Sequence, residues 1–165
     1  MTADSSDNST PESNDAEATA QAVTINAQFI KDLSFEAPGS PGVFMTAQKT
    51  APDIKINVDV QAGMVQENSF EVTLVIHGEC KMDGNTAFIV ELSYGGLFSL
   101  NLPEEHLKPV LLIECPRLLF PFARNIIADV TRDGGFPPLM INPLDFAAMY
   151  RDGAAQKAET QKMGA

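Results

Sequence analysis

Two runs of alternating apolar and polar residues, joined by an Asp-Gly turn, constrain this chain more than any other feature. Ser69 to Lys81 puts Phe70, Val72, Leu74 and Ile76 on one face, MDGN follows at 82–85, and Thr86 to Tyr94 leaves the turn. Alternation with a period of two marks a half-buried strand, and Asp-Gly suits the positive φ angles of a tight hairpin. Antiparallel pairing of the two runs is close to forced. Before them, Asp53 to Gln61 alternates strictly, with Ile54, Ile56, Val58 and Val60 opposite Asp53, Lys55, Asn57, Asp59 and Gln61. Val23 to Phe35 places Val23, Ile25, Ala27, Phe29, Leu33 and Phe35 on odd positions, and Ile30 breaks the phase as a bulge would. APGSPG at 37–42 reads as a turn and GVFMTAQKTAP at 42–52 as irregular chain.

The second half changes period. Glu104 and Glu105 follow Pro103, where acids favour a helix start, and the apolar run Leu107 to Cys115 continues that helix despite Pro109. Leu118 to Thr131 predicts the next helical segment. From Cys115 to Tyr150 five prolines and a Gly-Gly pair interrupt an apolar and aromatic stretch, which is expected not to be one helix. Pro116 and Pro121 lack the N–H of a helix interior, and Gly134, Gly135, Pro137 and Pro138 stop the helix carrying Ile126 and Ile127. Phe136, Leu139, Met140 and Ile141 are left in a connector, where they either cap the core or line a site for something apolar. In NPLDF, Asn142 is expected to cap a last helix with Pro143 at its first position, running past Tyr150. Strands first and helices second predict an α+β domain, a four-stranded antiparallel sheet with helices packed on one face. Ile89 shares its strand face with Glu91, so the second face is partly apolar and self-association is expected.

Composition excludes several classes of function. The net charge is −11, and residues 31–150 alone hold fifteen acids against eight bases. Nucleic acid and anionic lipid are poor partners for such a surface; a partner with a basic patch is the better one. Cys80 and Cys115 form no clustered pattern, which suits a reduced, cytoplasmic setting. The acidic, polar N-terminus lacks the basic and apolar regions of a secretory signal, and no run approaches a membrane span. We expect an acidic tail over residues 1–22, a domain over 23–152 and a flexible tail over 153–165.

Catalytic chemistry finds little support. His77 and Cys80 lie three apart on a strand, on opposite faces, so one metal cannot easily take both. No Gly-x-Ser-x-Gly elbow is present, and neither cysteine has a histidine beside it. Gly95-Gly96 lacks the Gly-Lys-Ser/Thr ending of a phosphate loop. The expectation is a binding protein, not an enzyme, with no cofactor and no metal.

The strings CPRLLFPFAR and GGFPPLMINPLDF, preceded in order by FIKDLSFEAPGSPGVF and TAFIVELSYGGLFSL, resemble the signature stretches of SecB, the bacterial protein-export chaperone family, across Ala27 to Tyr150. The resemblance implies a homotetramer built as a dimer of dimers. It also implies a cytoplasmic, ATP-independent chaperone that binds unfolded precursor polypeptides and delivers them to the SecA motor. Precursor chains would lie in grooves beside the connector GGFPPLMINP, and the matching lining positions are Phe44, Phe120, Phe122, Phe136, Leu139 and Ile141. SecA would dock its basic, zinc-bearing element on the outer sheet face at Asp32, Glu36, Ile89 and Glu91, the zinc being the partner's. The chain departs from the family's habit in having no tryptophan; KTAP stands at 49–52, in the segment where relatives often carry one. The rival reading is an acidic oligomeric adaptor for one folded partner, with a small-molecule enzyme a distant third.

Overall fold

The Asp-Gly hairpin forms as its residues dictate: Asp83 and Gly84 take φ of 48° and 81°, joining β3 (Ser69–Met82) to β4 (Asn85–Leu100). The structure, a computed structural model, describes residues 22–153, so the tails expected at 1–22 and 153–165 lie, but for their innermost residues, outside it. β1 (Val23–Glu36) and β2 (Asp53–Gln66) complete an antiparallel sheet of order β1-β4-β3-β2. Both β2 and β4 run further than their alternation suggested, and β4 passes straight through Gly95-Gly96.

The inner face of the sheet carries Phe70, Val72, Leu74 and Ile76 of β3 and Phe88, Val90, Leu92 and Phe98 of β4, all buried. Residues paired across an antiparallel ladder share a face, so the register shows where β1 departs from simple alternation. Ile25 opposes Phe98 and faces inward, but a shift between Ile25 and Ala27 sends Ala27 and Phe29 outward, opposite Leu97 and Gly95. A second shift between Ile30 and Asp32 returns Leu33 and Phe35 to the inner face. The single odd-numbered face expected for β1 is therefore broken by two bulges, not one. The second holds Lys31, whose ammonium bonds Glu71 of β3 across the intervening β4.

The expectation that Pro116 and Pro121 interrupt the helix is corrected. Helix α1 (Glu104–Pro109) passes through a π-turn at Val110–Glu114 into α2 (Cys115–Asp133) without a break. The Cys115 N–H reaches back five residues to the Val110 carbonyl. That wider turn leaves room for the Pro116 ring, which would otherwise clash with the carbonyl four residues earlier. Pro121 and Arg117 are both exposed, so the carbonyl that Pro121 leaves unpaired is open to water.

Helix α2 ends where predicted, in a Schellman motif: the N–H groups of Gly135 and Phe136 bond the carbonyls of Arg132 and Thr131, with Gly135 at φ 93°. The last helix, α3 (146–153), starts later than expected. Asp145, not Asn142, caps it, accepting from the Ala148 N–H at 2.9 Å. Buried Leu119, Ala123 and Ile127 of α2 and Phe146 of α3 close the core over one sheet face.

Candidate functional site: a row of clefts and an acidic sheet face

Strand β2 is an edge, and the inner residues that its alternation places there, Ile54, Ile56, Val58 and Val60, are incompletely covered. The connector between α2 and α3 runs alongside them, and three clefts follow one another along the strand. The first, about 180 Å³, lies between Ile54 and Pro52 on one side and Phe136, Pro137, Pro138 and Leu139 on the other, over Cys80 and Phe88. The second, about 320 Å³, has Ile56 and Val58 facing Ile141, Pro143, Leu144 and Met149. The third, about 220 Å³, joins Val60 to Leu112, Met149 and Tyr150. Their walls are mainly apolar, as suits a site that recognises side chains by burial.

An aromatic cluster stands at one end of this row. The Phe136 ring centre is 4.9 Å from Phe88, 5.1 Å from Phe44 and 6.4 Å from Phe35, in tilted contacts. Phe44 is 52% exposed and can offer its ring to a visitor. The two glycines after α2 permit this arrangement, because a Cβ on Gly134 would stand 2.3 Å from the Phe35 ring and one on Gly135 2.9 Å from Phe44.

Of the six groove positions expected from the resemblance, Phe136 and Leu139 line the first cleft, Ile141 lines the second, and Phe44 covers Phe136. Phe120 sits instead in the core, its ring edge-on to Phe146 at 6.0 Å. Phe122 is exposed on α2 and lines none of the three clefts. The wall formed by Ile54, Ile56, Val58 and Val60 was absent from that set, although their strict alternation, unmatched by a covering element, was the available signal.

The opposite face of the sheet is charged. Glu36 pairs with Ile89, Ser34 with Glu91 and Asp32 with Ser93, so the four expected docking residues fall in three adjacent rows of β1 and β4. In the same rows β3 adds Glu79 opposite Ile89 and His77 opposite Glu91, with the His77 Nδ1 3.0 Å from the Glu91 carboxylate. His77 and Cys80 do lie on opposite faces, one half-exposed and the other buried.

Neither thiol is placed for nucleophilic chemistry. Burial, aided by the charge of Glu114, pushes the Cys115 thiol up to about 12, and burial with the charge of Asp53 raises Cys80. Among the described residues no group of His, Cys, Asp and Glu is arranged to hold a metal. No described helix is long and apolar enough to cross a membrane.

Residues 16–157 match the family described as preprotein translocase subunit SecB. The chain belongs to the SecB family. The protein-export protein SecB of Paramagnetospirillum magneticum is 59% identical over 132 residues, which cover 80% of this chain and 85% of that one. The protein-export protein SecB of Rhodospirillum rubrum is 58% identical over 137 residues, covering 83% and 84%. Among solved structures, a SecB-like chaperone of Mycobacterium tuberculosis, in complex with a peptide from an antitoxin, shares the fold with a TM-score of 0.63. It is 16% identical, and the match covers 78% of this chain and 95% of that one. Like its relatives, this SecB chain is a protein-export chaperone, and the α+β sheet-and-helix architecture expected from its sequence is the one observed.

Proposed function

We propose that this chaperone holds unfolded precursor segments along the clefts between β2 and the connector, and hands them to the SecA motor through the acidic outer face of the sheet. The observation that carries the reading is the separation of the two surfaces. Apolar clefts open on the inner side of the sheet, and Asp32, Glu36, Ile89 and Glu91 lie on the outer side. A client and a basic partner can therefore be bound together without competing. Each large apolar side chain a client buries contributes about 1.5–3 kcal/mol, so a few of them offset the ordering of an extended segment. No step requires a nucleotide, and holding followed by transfer is the whole activity of the domain expected over 23–152.

The same reading places the protein in the cytoplasm as a homotetramer, a dimer of dimers. Support comes from the edge position of β1 among the described strands, where Ile25, Ile30 and Leu33 are 38%, 49% and 38% exposed. Such an edge needs a covering.

The test is the refolding rate of a denatured, slow-folding precursor with purified protein and no nucleotide. Slowed refolding is expected, relieved by Phe44→Ala or Ile54→Ser, two exposed positions whose loss spares the core. Glu91→Lys with Asp32→Lys should abolish SecA docking and leave the slowed refolding intact. Unchanged refolding at excess protein would overturn the client site and favour an adaptor for one folded partner.

A further inference from the structure

The crossover from the short 3-10 turn at Gly42–Phe44 to β2 has almost no structure of its own. Its last backbone bond to the preceding turn is Met45 N–H to Gly42, and ladder pairing begins only at Asp53. Between them Thr46 bonds back to the Gly42 carbonyl at 3.4 Å, and the main tie to the sheet is the Asp83 side chain. The Asp83 carboxylate, at the tip of the β3–β4 hairpin, accepts from the Lys49 N–H at 3.3 Å, the Thr50 N–H at 3.1 Å and the Thr50 hydroxyl at 2.9 Å. Next to it the Gln48 side-chain amide donates to the Met82 sulfur at 3.1 Å.

This crossover also separates two cavities. On one side lies the apolar 180 Å³ cleft of Phe136 and Leu139, and on the other a more polar cleft of about 540 Å³ bounded by Val43, Thr46 and Thr86. Gln48 and Met82 line both, so their contact stands where the two clefts adjoin.

We propose that Asp83 is a positioning residue for client binding: its carboxylate ties down Lys49 and Thr50 so that Gln48 and Pro52 wall the apolar cleft, and releasing it merges the two clefts into one wider channel. The proposal rests on the reading that unfolded chains occupy these clefts. Two consecutive amides and a hydroxyl converging on one carboxylate form a charge-assisted set, stronger than neutral hydrogen bonds. Asp83 is exposed, so water competes for the same atoms and the tie is reversible. The hairpin sets the direction of the Asp83 Cα–Cβ bond, with φ at 48° beside Gly84, and brings the carboxylate within reach of the Lys49 and Thr50 donors.

The experiment uses the full chain with Asp83→Gly, which keeps the positive φ and removes the carboxylate, and Asp83→Asn, which keeps the turn and one acceptor oxygen. Thr50→Val removes one donor without touching the hairpin and serves should Asp83→Gly fail to fold. Three readouts are taken: amide exchange at Lys49 and Thr50, release of a short fluorescent peptide rich in aromatic residues, and melting temperature. Wild type must first slow the refolding of the denatured precursor; if it does not, the client reading itself fails, whatever the amides do. With that control met, Asp83→Gly should expose both amides and release the peptide roughly tenfold faster, the loss of a charge-assisted contact. Asp83→Asn should fall between, Thr50→Val should show a smaller change of the same sign, and melting should hold near wild type. Peptide release at the wild-type rate from Asp83→Gly with its amides exposed would overturn the proposal. So would release that tracks only a fall in melting temperature.

Discussion

The hydroxyl of Thr131, fully buried in the last turn of α2, accepts the backbone N–H of Leu139 at 2.9 Å while donating back to the Ile127 carbonyl. One side chain thus pins the connector to the helix and sets the wall of the first cleft. Thr131→Val keeps the shape and removes the acceptor, leaving a buried N–H unpaired at a cost of about 1–3 kcal/mol. Thr131→Ser should restore most of it. Chemical denaturation with exchange at the Leu139 amide checks both, and equal stability of the Val and Ser variants would refute the role.

The two glycines after α2 are expected to differ in how they fail. Gly135→Ala meets both a φ of 93° and the Phe44 ring, so it should lose stability and disturb the aromatic cluster. Gly134 has an ordinary φ of −72°, and Gly134→Ala conflicts only with Phe35. Combining Gly134→Ala with Phe35→Leu should therefore recover stability, whereas Gly135→Ala with Phe44→Leu should recover only part. Thermal unfolding of the four variants decides, and equal recovery in the two pairs would contradict the account.

Thiol labelling at pH 8 should be slow at both cysteines, because burial raises each and holds Cys115 at about 12. Cys80 lies in the first cleft and should react first. A bound unfolded polypeptide should slow Cys80 further and leave Cys115 unchanged. Mass spectrometry of timed samples reads the order, and protection of Cys115 alone would place the client elsewhere.

Glu71 titrates below the usual glutamate range because the Lys31 ammonium bonds its carboxylate; partial burial opposes the shift and the Thr73 hydroxyl adds to it. With the folded value lowered, its stabilisation is complete above the ordinary glutamate range and is lost as pH falls through the depressed value. Both side chains are partly exposed, at 46% and 31%, so the effect stays within about 1 kcal/mol and weakens with salt. Lys31→Met should flatten that acidic limb in denaturation curves taken across pH. An unchanged limb would show that the link across β4 contributes nothing.

Several features were legible because local chemistry decides them. The Asp-Gly hairpin, the alternating inner face of β2 and the Gly-Gly end of α2 each need only their own residues and neighbours. The continuity of the helix was not, since Pro116 and Pro121 read as breaks until a π-turn and exposed positions accommodate them. The outward turn of Phe29 was equally hidden. It depends on a bulge after Ile25 and on Gly95 leaving room for the ring, two positions far apart in the chain.

The candidate site divides in the same way. Asp32, Glu36, Ile89 and Glu91 could be placed on one face from strand periodicity and the family's motifs, and the register of β1 with β4 brings them together. Which apolar residues are available to a client is another matter, because Phe120 and Phe122 stand two apart on one helix and end up buried and exposed. By itself the sequence determined the kind of elements, their order and the family, since period, turn chemistry and motif are properties of short stretches. Only the tertiary structure decided that β2 is an edge among the described strands, that Thr131 and Asp83 tie down the two walls, and that clefts lie between them. Those outcomes depend on contacts between residues distant in sequence, whose energies no local pattern encodes.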